Sequence, residues 1–167
     1  CFKIDMIWLS LCFDIVIYRI SFFVPRKFYS FCRLFLGRIT QVLKEKNGDD
    51  LLKQIYIITM YKDYSESIRK KLNKIYDGSS FKKAINEFGY KNIGTIHAFQ
   101  GKENDTVIIL LGAQHPLDKG ARNVMTDKPN VLNVGISRAK NNLYIIGNAE
   151  IWLKHKYMKE IYNMLGD

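Results

Sequence analysis

The sequence is short of most features that announce a function. It has three cysteines, Cys1, Cys12 and Cys32, widely spaced and with no C-x-x-C pair. Neither a zinc ribbon nor a disulfide framework can be built from them, and a reducing, cytoplasmic setting is the expectation that follows. Repeats and low-complexity tracts are absent. Acidic residues are scarce relative to basic ones: 16 Asp and Glu stand against 26 Lys and Arg, a net charge of +10. That excess favours polyanionic partners, although a merely basic surface would account for the charge equally well. No apolar run is long enough to cross a bilayer. Ile4–Val24 is very apolar, but Asp5, Asp14 and Arg19 interrupt it. Its longest uncharged stretch, Met6–Phe13, falls far short of the roughly 20 residues a spanning helix needs. No small-residue cleavage site follows, so it does not read as a signal peptide. No membrane partner is expected. No strand end carries the Asp/Glu/Lys cluster of a metal-dependent nuclease, and no metal site is expected.

What is present is a regular alternation. A chain of 167 residues suits one domain with its own core. Arg26–Lys46 has helical apolar spacing and ends at Asn47-Gly48, a helix stop, with Asp49-Asp50 in the turn beyond. Ile55–Thr59 is a β-branched run of the kind buried on both faces of a parallel sheet. Tyr64–Tyr76 reads as an amphipathic helix with Ile68, Leu72 and Ile75 on one side. A short helix is expected over Phe81–Phe88, and strands over Ile93–Ile96, Thr106–Leu111 and Leu143–Gly147. Gly112–Asn130 reads as a long loop, Val131–Ala139 as a helix and Glu150–Leu165 as a closing amphipathic helix. Strands alternating with helices imply an α/β fold, with a mostly parallel sheet covered on both faces. Ligands of such sheets bind beyond the carboxyl ends of the strands, so the interesting residues are expected just after Thr59, Ile96 and Leu111.

Two polar clusters stand out. The first is Thr95-Ile96-His97-Ala98-Phe99-Gln100-Gly101-Lys102-Glu103, at the end of one predicted strand and just before the next. Glycine lets a backbone N–H approach a phosphate closely, and Gln and Glu can bind ribose or water. Taken singly, each residue fits a solvated turn; together they are more specific. The second is Asn130–Lys140, in which Arg138 sits beside small residues at a helix end, with Lys140 two positions on. Basic residues there can simply complement the helix dipole. They can also aim a guanidinium at a transferring phosphoryl group.

These segments resemble superfamily 1 helicases. TIHAFQGKE resembles motif V and VGISRAK resembles motif VI, commonly V-A-x-T-R-A-K. IYIITMYKDYSESIRKKL is similar to the strand–loop–helix written I-I-T-P-Y/F. GARNVMTDKPNVLN resembles the segment between motifs V and VI in bacterial members of the Upf/Dna-type branch. The resemblance runs from about Phe31 to the carboxyl terminus, with the motifs in order. Met60 replaces the usual proline, and Gly135 and Ser137 replace the commoner Ala and Thr; residues 1–25 show no likeness. The resemblance implies a RecA-like three-layer α/β domain over residues 26–167, the second of the two such domains in these enzymes. It implies that Arg138 and Gln100 act at the γ-phosphate of ATP, and that Gly101, Glu103, Arg138 and Lys140 bind the nucleotide, Glu103 at the ribose. It implies that Thr59, Tyr61, Lys62, Thr95 and His97 line a track for single-stranded DNA or RNA.

The family's first domain carries G-x-x-x-x-G-K-[ST] and an acidic pair that holds magnesium. Here Gly101-Lys102 is followed by Glu103, with Ile96 in place of the first glycine, and Asp49-Asp50 does not follow an apolar strand. The expectation is one wall of an ATP site, inactive alone, with ATP and Mg held mainly by a missing amino-terminal RecA-like domain. Cys1 in place of an initiator Met points to a fragment, with residues 1–25 unassigned: a buried or truncated segment whose natural partner is missing, or one foreign to the fold. The rival expectation is a basic α/β nucleic-acid-binding module, or the non-functional remnant of a helicase gene.

Overall fold

The computed structural model describes residues 21–22, 48–112, 119–126 and 129–165. The helix expected over Arg26–Lys46 lies outside them. Among the described residues the sheet has five strands, all parallel, in the order β1-β5-β4-β2-β3. They are β1 (Ser21–Phe22), β2 (Ile55–Thr59), β3 (Ile93–Thr95), β4 (Asn104–Leu110) and β5 (Ala139–Gly147). Seven α-helices accompany them among the described residues: α1 (Gly48–Lys53), α2 (Lys62–Ile75), α3 (Lys82–Asn92), α4 (Lys119–Thr126), α5 (Pro129–Ile136), α6 (Ala149–Trp152) and α7 (Lys156–Leu165). This is the parallel α/β sheet that the alternation predicts, in the three-layer RecA-like arrangement that the resemblance implies.

The connections explain the layers. From β2 the chain steps outward to β3; from β4 it steps the other way to β5. Right-handed crossovers in opposite directions place their helices on opposite faces of the sheet. The cores agree. Ile57 and Ile93 pack with Leu52 of α1, Leu72 of α2 and Ile85 and Phe88 of α3 on one face. Ile58, Val107, Ile109, Leu143 and Ile145 pack with Leu132 and Ile136 of α5, Trp152 of α6 and Met158 and Ile161 of α7 on the other. Ile57 and Ile58 are adjacent, point to opposite faces and are both fully enclosed, which is why β2 needs a continuous apolar run.

Several expectations change. Gly48, expected at a helix stop, and Asp50, expected in the turn beyond, lie within α1, where Asp50 pairs with Lys53. The apolar side of α2 holds Leu72, but Ile75 is exposed and the neighbouring Tyr76 takes the buried place. The expected loop over Gly112–Asn130 contains α4 and part of α5. The helix expected over Glu150–Leu165 is two helices. Trp152 turns inward to donate its indole N–H to Gly112 O at 3.0 Å, and His155 Nδ1 lies 3.0 Å from Thr126 Oγ1. Ser21 and Phe22, from the segment without a family likeness, pair with Ile146 and Gly147 as an edge strand, so this part of the segment is not foreign to the fold.

Candidate nucleotide and nucleic-acid site

Thr95 ends β3 at the carboxyl rim of the sheet, in register with Thr59. The chain then makes a 3-10 turn, Ile96–Phe99, instead of continuing as strand. Ile96 and Phe99 are buried, and the Phe99 ring lies 4.4 Å from that of Tyr56. The turn thus carries the chain along one face of the sheet to the opposite rim, where Gln100–Glu103 lead into β4. Gln100 N donates to His97 O at 3.3 Å and Lys102 N to Phe99 O at 3.0 Å. Gly101 takes φ 75°, a left-handed conformation that any side chain would strain, and the space beside it is open.

Arg138 meets this loop from 36 residues further along the chain. Its Nε donates to Val134 O at 2.9 Å, Nη1 to Lys102 O at 3.3 Å and Nη2 to Ser137 Oγ at 2.8 Å. Ser137 Oγ in turn donates to Val134 O at 3.1 Å. Asn104 N closes the junction by donating to Arg138 O at 2.9 Å. The half-buried guanidinium therefore caps the carboxyl end of α5, where the helix dipole favours a cation, while touching the loop. Of its five N–H groups, three are engaged. One on each terminal nitrogen is left over, so the guanidinium keeps donors for an oxyanion.

Gln100, Gly101, Glu103 and Arg138 share one rim, but it is the amino rim and not the expected carboxyl one. The reason is local: each residue immediately precedes a strand, β4 or β5, and a residue entering a strand lies at its amino end. Lys140 is an exposed residue of β5 itself. An open groove of about 690 Å³ adjoins this rim, with Lys53, Tyr56, Tyr90, Lys91 and Lys102 on its walls.

The residues assigned to a single-strand track lie at the carboxyl rim. Lys62 and His97 are exposed, and Tyr61 and Thr95 are half-buried. The Tyr61 ring lies 5.9 Å from that of Tyr64, and Lys62 Nζ is 3.7 Å from Glu66. Thr59 differs from expectation. Its side chain is fully enclosed, with the hydroxyl 3.0 Å from Tyr61 O and 3.4 Å from Gly94 O. It shapes the turn into α2 and offers no surface to a ligand. Sequence reasoning missed Ser137 and Lys102 as partners of Arg138. Lys102 acts through its backbone carbonyl, which side-chain identity does not signal; Ser137, a hydroxyl next to the arginine, was the available clue.

Among the described residues no group of three or more His, Cys, Asp or Glu is placed to hold a metal ion, and no helix is long and apolar enough to cross a membrane. A family model described as an AAA domain matches residues 32–150. The chain is 28% identical over 123 residues to the probable helicase senataxin of Homo sapiens, which covers 74% of this chain and 4% of that protein. It is 31% identical over 123 residues to the probable helicase senataxin of Mus musculus, with the same coverage. It is 31% identical over 137 residues to the regulator of nonsense transcripts 1 of Caenorhabditis elegans, covering 77% of this chain and 12% of that protein. The chain thus spans a small part of the length of these relatives.

Proposed function

The chain belongs to the AAA domain family, and from that premise we propose that it is the second RecA-like domain of a superfamily 1 ATP-dependent nucleic-acid helicase. Its relatives include proteins named as helicases. The observation that carries the reading is the junction of Arg138 with Lys102 and Asn104. Motif-like segments far apart in sequence meet at one rim, with a guanidinium between them.

In this reading Arg138 is an arginine finger. Its two unengaged terminal N–H groups meet oxygens of the γ-phosphate, where negative charge grows during transfer. The Gly101 N–H and the Gln100 side chain face the same phosphoryl group, because the left-handed turn opens the backbone at Gly101. Glu103 reaches the ribose, and Lys140 lends positive charge from the first part of β5. The donors gathered here are cations and amides, suited to phosphate oxygens; a magnesium ion would be held mainly by carboxylate and hydroxyl groups of the first RecA-like domain and would neutralise charge on the phosphates. Tyr61, Lys62, Thr95 and His97 contact the single strand at the carboxyl rim. Thr59 holds the turn that presents Tyr61.

The division of labour gives the test. The chain alone should hydrolyse ATP no faster than background. A longer chain that includes a first domain with a phosphate-binding loop and acidic pair should hydrolyse it, and single-stranded nucleic acid should stimulate the rate. Steady hydrolysis by the chain alone, or none by the longer chain under any condition, would overturn the reading.

A further inference from the structure

We propose that the outward face of α2 is a second nucleic-acid surface, which binds the phosphate backbone of a duplex and is separate from the single-strand track. The proposal rests on the helicase reading only in taking nucleic acid as the polyanion.

The charges of α2 are segregated. Its acids, Asp63 and Glu66, lie in its first five residues, whereas Lys70, Lys71 and Lys74 lie in its second half. All three lysines are exposed. Among the described residues three of the four nearby acids are paired; the fourth, Asp63, stands seven residues before Lys70, about 10 Å along the axis. Glu66 is 3.7 Å from Lys62, Asp77 is 2.6 Å from Lys82, and Glu87 is 2.6 Å from Lys91. No ion pair among the described residues involves Lys70, Lys71 or Lys74. The other cation of this stretch, Arg69, turns inward and donates to Ile93 O.

The helix dipole explains only part of this arrangement. It favours a cation within the last turn, and Lys74 satisfies it. The effect falls off beyond that turn, so it does not account for Lys70 and Lys71. Lys70 and Lys74 are four residues apart on one helical stripe, and like charges at that spacing repel. An approaching phosphate backbone would relieve that repulsion.

The chemistry of the face favours a duplex over a single strand. Proteins that hold unpaired strands add aromatic platforms on which bases stack. Lys70, Lys71, Asn73 and Lys74 supply charge and an amide but no ring. A duplex presents a charge about every 1.7 Å along its axis, so a short rigid helix can neutralise several phosphates without bending the nucleic acid. Lys70 and Lys74 are about 6 Å apart along the axis, at 1.5 Å per residue. The track touches only the start of α2, at Tyr61 and Lys62, whereas Lys70, Lys71 and Lys74 stand about 12–18 Å further along the axis at 1.5 Å per residue. That separation lets both surfaces be occupied together.

The test compares a labelled duplex, its separate single strand and polyglutamate as probes of the chain over a range of salt concentrations. Lys70→Gln/Lys71→Gln/Lys74→Gln should weaken duplex binding at least about tenfold, and the slope of log affinity against log salt should fall by about 3, one per lysine. The matching triple Arg variant should keep both. Single-strand affinity should change much less, and the thermal midpoint should hold, because the side chains are exposed. Unchanged duplex binding by the Gln variant overturns the proposal. Equal losses for duplex and single strand overturn it too, since the lysines would then belong to the track. Loss confined to polyglutamate assigns the face to an acidic protein and likewise overturns it. Lys62→Ala/His97→Ala reports separately on the track. Without effect on single strands it defeats that reading, while the duplex measurement still decides this one.

Discussion

At the amino rim of the sheet, polar groups reach the surface on loops that lead into β4 and β5; at the carboxyl rim, several of the polar groups nearest the strands are turned inward. Arg138, Ser137 and Lys102 bond to one another around backbone carbonyls and still leave donors free. Across the sheet, the Thr59 hydroxyl is enclosed and the Trp152 indole is fixed to Gly112 O. The difference shows where a parallel α/β domain can hold reactive groups cheaply. Residues entering strands from loops can change with little effect on the core, whereas those at the carboxyl rim here are part of how the second layer of helices docks.

The strongest way to break this comparison is to exchange its consequences. In a two-domain protein with a competent first domain, Arg138→Ala should lower kcat by about 10³–10⁵-fold while nucleotide affinity stays within a few-fold, because the contact forms in the transition state. Lys at 138 should rescue only in part, since an ammonium cannot fork between two oxygens. Measured on the chain itself by denaturant unfolding, the same Ala variant should cost only about 1–2 kcal/mol for its lost hydrogen bonds. Trp152→Ala should do the reverse, costing about 3–5 kcal/mol by emptying a fully buried site and orphaning the Gly112 carbonyl. If Arg138→Ala proved the more destabilising of the two, the contrast between the rims would be wrong.

A smaller effect sharpens the carboxyl side. Lys62→Ala should weaken single-strand binding a few-fold and lower the salt slope by about 0.7, the value for one phosphate contact on a single strand. His97→Ala should weaken binding without moving the unfolding midpoint, because the side chain is exposed. A shift of that midpoint instead of the affinity would make His97 a structural residue like Thr59.

The smallest effect lies in the helical layer. Hydrogen bonding to Lys82 and its charge hold the Asp77 carboxyl below its ordinary value, and Lys91 does the same for Glu87. A carboxyl lowered on folding contributes stability above its unfolded pKa and loses it as pH falls through the folded one. Acidification below about pH 4 should therefore remove a small increment of stability. Carboxyl-carbon titration by NMR should show both midpoints below their ordinary values, with Lys82→Gln restoring Asp77 alone.

The sequence showed most where one physical demand dominates. IYIIT, VIIL and LYIIG announce β2, β4 and β5 because strands buried on both faces tolerate little else. It showed less where tertiary contacts override local preference. Gly120, Pro129 and the neighbouring Asp residues suggested a loop, yet α5 forms because its apolar side has a sheet face to cover, and α4 packs against α5 and α7. The break between α6 and α7 comes from Trp152 and His155 reaching partners some 40 and 29 residues away, which no local pattern encodes. For the site, the residue types in the two clusters were visible but the rim was not. The general rule of carboxyl-end binding misplaced residues whose position is set by the strand they precede. Thr59 was misread because a polar residue at a strand end looks available until the carbonyls around it are known.

Gly135 couples the composition of α5 to that of the strand beneath it. A Cβ at this position would lie 3.3 Å from Ile109 Cδ1 and 3.6 Å from Ile96 Cδ1, so the helix sits closer to the sheet than an alanine comfortably allows. Alanine would stabilise the helix itself by about 1 kcal/mol, but only if Ile109 can move aside. Valine at 109 lacks the methyl in question, and leaves room for the one that Gly135→Ala adds. The two positions are therefore coupled: the effect of Gly135→Ala depends on which side chain stands at 109, and the double change should cost less than the sum of the two single ones.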